Sequence, residues 1–325
     1  MPDEPHRNIE WPHSTRLPVL GVMTTFASNS AAVLDAIHES YGVWRELARD
    51  TNVVSPSNAA VRIVLHDRPA TSAPALVFDY RVPDPTRFFA MWDGGMGVAD
   101  TQRLESVAYV TADLVANRAE FVAGVIEPLT LFLLGALNRQ PVHAAAVVRG
   151  GNGILLTGPS GSGKSTISYA AHRHGYSLLS DEPVYVQMRP TLRVWGRRSQ
   201  VRLPVEARTH FPELHDLAPT RLPGGKIKMV VNIEDRAQPY ADHVGICLLR
   251  PGSGGKPALE RASPGAVVAE LVSGLDPGFD LFADTIGERL AAIAERGAWV
   301  LHVGRSPWDV LPLLDEITAE LARDR

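Results

Sequence analysis

The chain has 325 residues, a formal net charge of −4, 45% hydrophobic and 21% charged residues. That is an ordinary globular balance, and the acidic net charge argues against a general nucleic-acid binder or a polybasic membrane binder. One cysteine, Cys247, excludes an intramolecular disulfide framework and argues against a cysteine metal cage, which suits a reducing, cytoplasmic setting.

The opening "MPDEPHRNIEWPHSTR" is polar, has no apolar signal core and reads as a loose arm. "LPVLGVMTTF" reads as a strand. Ser28, Asn29 and Ser30 offer N-caps for a helix over 31–48, in which Val33, Ile37, Tyr41 and Trp44 recur at helical spacing. "AAVRIVLHD", "ALVFDYRV" and "RLESVAYVTADLV" read as further strands, and Trp11, Trp44 and Trp92 as packing residues. The apolar stretch 121–137 carries Glu127 and Pro128, falls short of a bilayer span and reads as a buried core helix. These elements divide the chain into an α+β N-terminal domain over 1–118, with no assignable chemistry, and a larger α/β domain over 119–325.

In the second part, "VHAAAVVRGGNGILLTG" reads as two strands joined by a Gly-rich turn at 149–153. "STISYAAHRHG" reads as a helix capped at Gly175, and "YSLLSDE" as the strand after it. "PVYVQM", "KMVVNI", "HVGICLLR" and "AWVLHVGR" read as later strands. Helices are expected over 265–275 and 282–296, with a closing helix in "PWDVLPLLDEITAELARD".

Gly158, Pro159, Ser160, Gly161, Ser162, Gly163, Lys164 and Ser165 fit the pattern G-x-x-x-x-G-K-[ST] without a mismatch, after the strand "GILLT" and before a helix. Glycines let the backbone wrap an anion with its N–H groups inward, and the helix start adds the positive end of its dipole. The pattern assigns Lys164 to the β- and γ-phosphates of a nucleoside triphosphate and Ser165 to Mg²⁺, with Thr166 beside it. Asp181 and Glu182 follow only seventeen residues after Lys164, room for one helix and one turn. That spacing, and the lack of any LSGGQ-like segment, exclude a transporter-type ATPase. On adjacent strands of one sheet, loop and carboxylates could meet at one edge.

The short gap resembles the kinase domain of HPr kinase/phosphorylase and its relatives, which share a core with phosphoenolpyruvate carboxykinases. That family has a histidine at the head of the strand before the phosphate loop and an "(A/S)DD" pair one helix after it. His143 lies fifteen residues before Gly158, and Ser180-Asp181-Glu182 stands where the pair belongs. The specific match covers about 143–186. The later stretch "HVGICLLRPGSGGKPALERASPGAVVAELV" also looks like HPr-kinase-related proteins found beside peptide-modification genes. The second acid is Glu182 rather than Asp, and the Arg/Gly-rich segment tied to the reverse, phosphorolytic reaction is not found, so the resemblance leaves both an HPr substrate and phosphorolysis open.

The resemblance implies a P-loop kinase domain of that type and a cytoplasmic enzyme using ATP and Mg²⁺. Ser165 and Asp181 would hold the metal, Glu182 would orient or deprotonate an acceptor hydroxyl, and His143 would tune Glu182. The acceptor would be a serine of a protein or peptide, or a small metabolite. No nucleic-acid or membrane partner is expected, and a homo-oligomer is left open. An NTP hydrolase and a non-catalytic nucleotide-sensing module are the rival readings. Between 186 and 230, nine Lys/Arg face three acids. This excess suits a solvated face or a basic rim for nucleotide or acceptor. Within it, "RLPGGKIKM" is expected to hinge at Gly224-Gly225 and bring Lys226 and Lys228 to the phosphates.

Overall fold

Leu20 and Gly21 both take positive φ, 49° and 72°, so the stretch that reads as one strand must reverse there. It forms a two-residue hairpin between β1 (His13–Val19) and β2 (Val22–Ser28), in register from Val19↔Val22 to His13↔Ser28. This is a computed structural model, and it describes residues 9–50, 53–67, 78–84, 86–197, 200–222, 225–233, 238–252, 255–275 and 283–323. The first half of the arm expected over 1–16, Gly224, and the start of the helix expected over 282–296 lie outside these residues, but 13–16 of that arm is paired strand. The chain divides into two compact units, Met1–Arg139 and Gln140–Arg325. Its sheets contain both parallel and antiparallel pairs, a mixed α/β architecture.

In the first unit, α1 (Ala31–Tyr41) buries Val33, Leu34, Ile37 and Tyr41 and ends in a 3₁₀ stretch, Gly42–Arg49. It links β2 to β3 (Ser55–His66), which pairs parallel to β2. β4 (Asp79–Asp84), β5 (Arg87–Trp92), β6 (Gly95–Asp100) and β7 (Glu105–Thr111) complete a seven-stranded sheet of order β1-β2-β3-β7-β6-β5-β4. The β5–β6 hairpin is absent from the sequence reading, because "RFFAMWDGGMGVAD" lacks clean alternation. After the short α2 (Ala112–Ala116), α3 (Arg118–Phe121) and α4 (Glu127–Ala136) join through a π-helical turn at Val122–Ile126. The resulting nineteen-residue helix is long and apolar enough, by length and composition, to cross a membrane, which corrects the expectation from the apolar stretch alone. Instead 56% of it is buried inside the protein, with Leu129, Leu133 and Leu134 fully covered. It packs on the first unit's own sheet: Phe132 meets Phe88 with ring centroids 5.3 Å apart, and Tyr80 donates to the Gly124 carbonyl at 3.1 Å. The boundary of the first unit therefore falls at Arg139 rather than 118.

In the second unit, β8 (Gln140–Val142) breaks at His143 before β9 (Ala145–Arg149). Gly150 and Gly151, both at positive φ, turn β9 into β10 (Asn152–Thr157). α5 (Lys164–Arg173) follows, then β11 (Ser177–Ser180), β12 (Val184–Gln187), β13 (Arg193–Gly196), β14 (Gln200–Leu203), β15 (Thr220–Arg221), β16 (Ile227–Asn232), β17 (Tyr240–Ala241), β18 (His243–Pro251) and β19 (Ala258–Arg261). α6 (Pro264–Ser273), α7 (Ala283–Ala294), β20 (Ala298–Val303) and α8 (Leu311–Arg323) close the chain. The central sheet runs β11-β9-β10-β18-β20-β19, flanked by sheets β17-β13-β12-β8 and β14-β16-β15.

β9 and β10 read as continuous apolar runs because both faces of the central sheet are covered. Ala145, Val147, Ile154 and Leu156 face one core with α5 and α8 (Ile167, Ala170, Leu314, Ile317). Ala146, Val148 and Leu155 face the other with α7 and β12 (Ile286, Leu290, Val184, Val186). Each core lies within 140–325. We therefore expect a fragment starting at residue 140 to unfold cooperatively and remain monodisperse. One starting at 119 should aggregate, because it exposes the apolar helix that belongs to the first sheet. Size-exclusion and thermal unfolding of both fragments check this, and equal behaviour would contradict the boundary.

Candidate functional site

Gly158, Gly161 and Gly163 hold φ of 138°, 85° and 98°, values that L side chains rarely adopt. A Cβ on Gly158 would also sit 2.7 Å from the Leu249 carbonyl oxygen. These glycines let the chain wrap between the end of β10 and the start of α5, whose first-turn amides have no partner within the helix. The Ser162 amide closes the loop on the Pro159 carbonyl at 3.1 Å. Lys164 is a largely buried residue, and its ammonium donates to the Gly158 carbonyl at 2.8 Å and the Pro159 carbonyl at 3.3 Å. Ser160 is exposed and Ser165 and Thr166 are half-buried, whereas the Ser162 hydroxyl is buried without a hydrogen-bond partner among the described residues.

The acidic pair reaches the same edge by strand sense. β11 is antiparallel to β9, and β9 is antiparallel to β10, so β10 and β11 end together. The expectation of adjacent strands needs correction, because β9 lies between them and takes the pairing that a neighbour of β10 would need. Asp181 follows β11 and is 5% exposed. One carboxylate oxygen accepts the Arg202 amide at 2.7 Å, and the other is buried without a hydrogen-bond partner among the described residues. Burial pushes its pKa up to about 6, against the Arg202 amide and the Ser165 hydroxyl, which favour the charged form, while the neighbouring Glu182 charge adds to the rise. Asp181 thus interacts with the first turn of the loop helix.

Glu182, half-exposed, pairs with His143 Nε2. His143 sits at the break between β8 and β9, where the Ala144 amide bonds the Val142 carbonyl at 2.9 Å, rather than inside a strand. The Ser180 hydroxyl donates to the Pro183 carbonyl at 2.7 Å and turns the chain beyond the pair. His143, Lys164, Ser165, Asp181 and Glu182 therefore converge on one sheet edge.

Part of the basic segment is held in strand pairing. Thr220 and Arg221 pair antiparallel with Lys228 and Ile227, and the Leu222 amide donates to the Lys226 carbonyl at 2.8 Å. Lys226 is exposed and Lys228 half-exposed; neither side chain makes a hydrogen bond or ion pair among the described residues. Arg193 forms a bidentate pair with Asp242 (2.5 and 2.9 Å) and stacks 4.0 Å over Tyr240, and Arg208 bonds the Leu217 carbonyl, so both serve structure. The residue sequence reading missed is Arg202. It acts through its backbone amide, which leaves no mark in side-chain chemistry.

Among the described residues no group of three or more His, Cys, Asp or Glu could hold a metal ion. Asp181 and Ser165 offer two oxygen donors, which suits Mg²⁺, an ion that keeps several waters and takes further ligands from phosphates.

Fold and site thus define an α/β unit with a glycine-rich loop at a helix start and a buried carboxylate beside it. No family model matches the chain. A curated relative, the HPr kinase/phosphorylase of Lactobacillus delbrueckii subsp. bulgaricus, is 40% identical over 92 residues, 28% of either chain. The chain thus matches only about a quarter of that relative's length. The solved HPr(Ser) kinase/phosphatase of Coxiella burnetii is similar at 16% identity and TM-score 0.29, over 57% of this chain and 97% of that one. The chain is similar to the HPr kinase/phosphorylase family, as its motifs suggest.

Asp181→Asn keeps an acceptor for the Arg202 amide and removes the buried charge. A carboxyl whose folded pKa is raised weakens the fold as pH rises from about 4 through 6. The variant should therefore melt at or above the wild-type temperature at pH 7.5 without nucleotide, by up to about 3 kcal/mol. The gain should vanish below pH 4. Melting curves across pH check this; a loss of stability at pH 7.5 would show that the carboxylate is structural.

Proposed function

We propose that the chain is an ATP- and Mg²⁺-dependent kinase that transfers the γ-phosphate to a hydroxyl, its second unit being a P-loop domain of the HPr kinase/phosphoenolpyruvate carboxykinase type. The observation that carries this reading is the meeting of the loop helix with Asp181 and the His143–Glu182 pair at one edge. The acceptor is a serine of a protein or peptide, or a small metabolite, and a cytoplasmic location fits the single cysteine.

The residues suit a bound Mg·ATP. One Asp181 oxygen and the Ser162 hydroxyl are buried polar atoms without partners among the described residues, each a cost unless something pairs with it. Ser165 and Asp181 would hold the metal. Gly158, Pro159, Ser160, Gly161, Ser162, Gly163 and Thr166 would line the phosphates. Lys164 would exchange its two loop carbonyls for phosphate oxygens, and Lys226 and Lys228 would add long-range positive charge. Bound Mg·ATP supplies the phosphoryl group and neutralises its charge as it transfers. Burial of Asp181 keeps water from competing for its oxygen. Glu182, half-exposed, is open to an incoming hydroxyl and accepts its proton, and His143 fixes the direction of the carboxylate.

Lys164→Ala should lower transfer of labelled γ-phosphate at least a hundredfold, the usual worth of such a clamp. Glu182→Gln should leave Mg·ATP affinity nearly unchanged while transfer falls roughly 10²–10⁴-fold, and His143→Ala should give a milder form of the same split. Calorimetric titration and acceptor phosphorylation on each variant make the test. Acceptor-independent release of phosphate would favour a hydrolase, and normal transfer by Glu182→Gln would remove that residue from the mechanism.

A further inference from the structure

The central sheet flanks the phosphate loop with two different neighbours. On the β9–β11 side stand His143, Asp181 and Glu182. On the other side β18 and β20 run parallel to β10, so the segment after β20 leaves from the same edge as the loop. Between them lies a cavity of about 140 Å³. Its walls are Gly163 and Thr166 from the loop helix, His210, and the turn carrying Val303, Arg305 and Ser306.

These walls are fixed. The Trp308 indole N–H donates to the His210 carbonyl at 3.1 Å, which ties the 303–310 turn to the segment after β14. Trp308 also packs edge-on against the buried Phe211 at 5.4 Å, and the Trp308 amide bonds the Ser306 hydroxyl at 3.3 Å. Arg305 is exposed, and its guanidinium makes no hydrogen bond or ion pair among the described residues. The cavity is thus a held space with an uncommitted planar cation at its mouth and an imidazole in its wall. It lies below the roughly 300 Å³ at which pockets for whole ligands begin, so it suits one ring system with the rest of the ligand outside.

We propose that this cavity binds the base of the nucleoside triphosphate, with Arg305 and His210 as the residues that recognise it. The inference rests on the phosphotransferase reading of the loop and extends it. A triphosphate lying over the loop has two ends, and only one side of the loop carries carboxylates to meet the γ-phosphate. The base end then points to the β20 side, where the cavity shares Gly163 and Thr166 with the loop. Binding at the carboxyl ends of parallel strands is the general habit of open α/β sheets. A guanidinium over an aromatic ring, or donating to its acceptors, adds an attraction of about tenfold in affinity.

The test compares ATP with inorganic tripolyphosphate, which has the charge but no base, on the full-length protein with Mg²⁺ by calorimetry. Wild type should bind ATP more tightly than tripolyphosphate. Arg305→Ala and His210→Ala should each weaken ATP about tenfold and leave tripolyphosphate affinity unchanged. His210→Ala retains the backbone carbonyl that holds Trp308, and unchanged melting of both variants confirms that the walls stand. Unchanged ATP affinity in both variants, with tripolyphosphate still bound, overturns the base site and spares the loop. Parallel loss of both ligands in Arg305→Ala assigns that residue to the phosphates and also overturns it. Failure of wild type to bind tripolyphosphate or ATP overturns the phosphotransferase reading itself.

Discussion

The antiparallel pairing of β9 with β10 is the constraint on which the second unit depends. A two-glycine turn reverses the chain, so the head of β9 and the tail of β10 share an edge. The head of β9 brings His143, and the tail of β10 opens into the glycine loop. Because β11 pairs with β9 in turn, its end also arrives there, carrying Asp181 and Glu182. Three segments separated in sequence are thus brought together by two strand pairings. The apolar residues on both faces of these strands keep the register from slipping, since a slip of one residue would exchange the two cores.

Within that frame, Asp181 is the group placed against its own preference. Burial favours the neutral acid, yet the Arg202 amide and the Ser165 hydroxyl favour the carboxylate. A group balanced in this way responds strongly to a cation, because a metal offsets the cost of burying the charge. The free oxygen beside the loop is thus a local instability that a bound metal would relieve, a common trade of stability for function. Glu182 is the contrasting member of the pair. It is half-exposed and paired with a histidine, so it stays available to a partner arriving from solvent. Two adjacent carboxylates are given different surroundings, and under the proposed reading that difference would separate holding a metal from handling a proton.

Much of this was legible in the sequence where local rules act. The loop shows because positive φ demands glycine at 158, 161 and 163, and the hairpin shows because the same demand falls on 150 and 151. The His143–Glu182 meeting followed from a family resemblance rather than from local chemistry. What stayed hidden depends on long-range pairing. Nothing in "YSLLSDE" says that β11 joins β9 rather than β10, since both are apolar strands of the same period. The Arg202 amide that holds Asp181 is a backbone group and has no residue signature. The apolar run 121–137 was assigned to the wrong unit, because hydrophobicity tells that a helix is buried but not against which sheet.

The central claim is that loop and carboxylates form one phosphoryl-transfer site, and its most direct measurement is a crystal structure with Mg²⁺ and a non-hydrolysable β,γ-imido nucleotide. The account predicts the metal about 2.0–2.1 Å from the Ser165 hydroxyl. It should be bonded to Asp181 directly or through one water, with the γ-phosphate facing Glu182. A triphosphate seated in the loop with its metal and γ-phosphate turned away from Asp181 and Glu182 would contradict it.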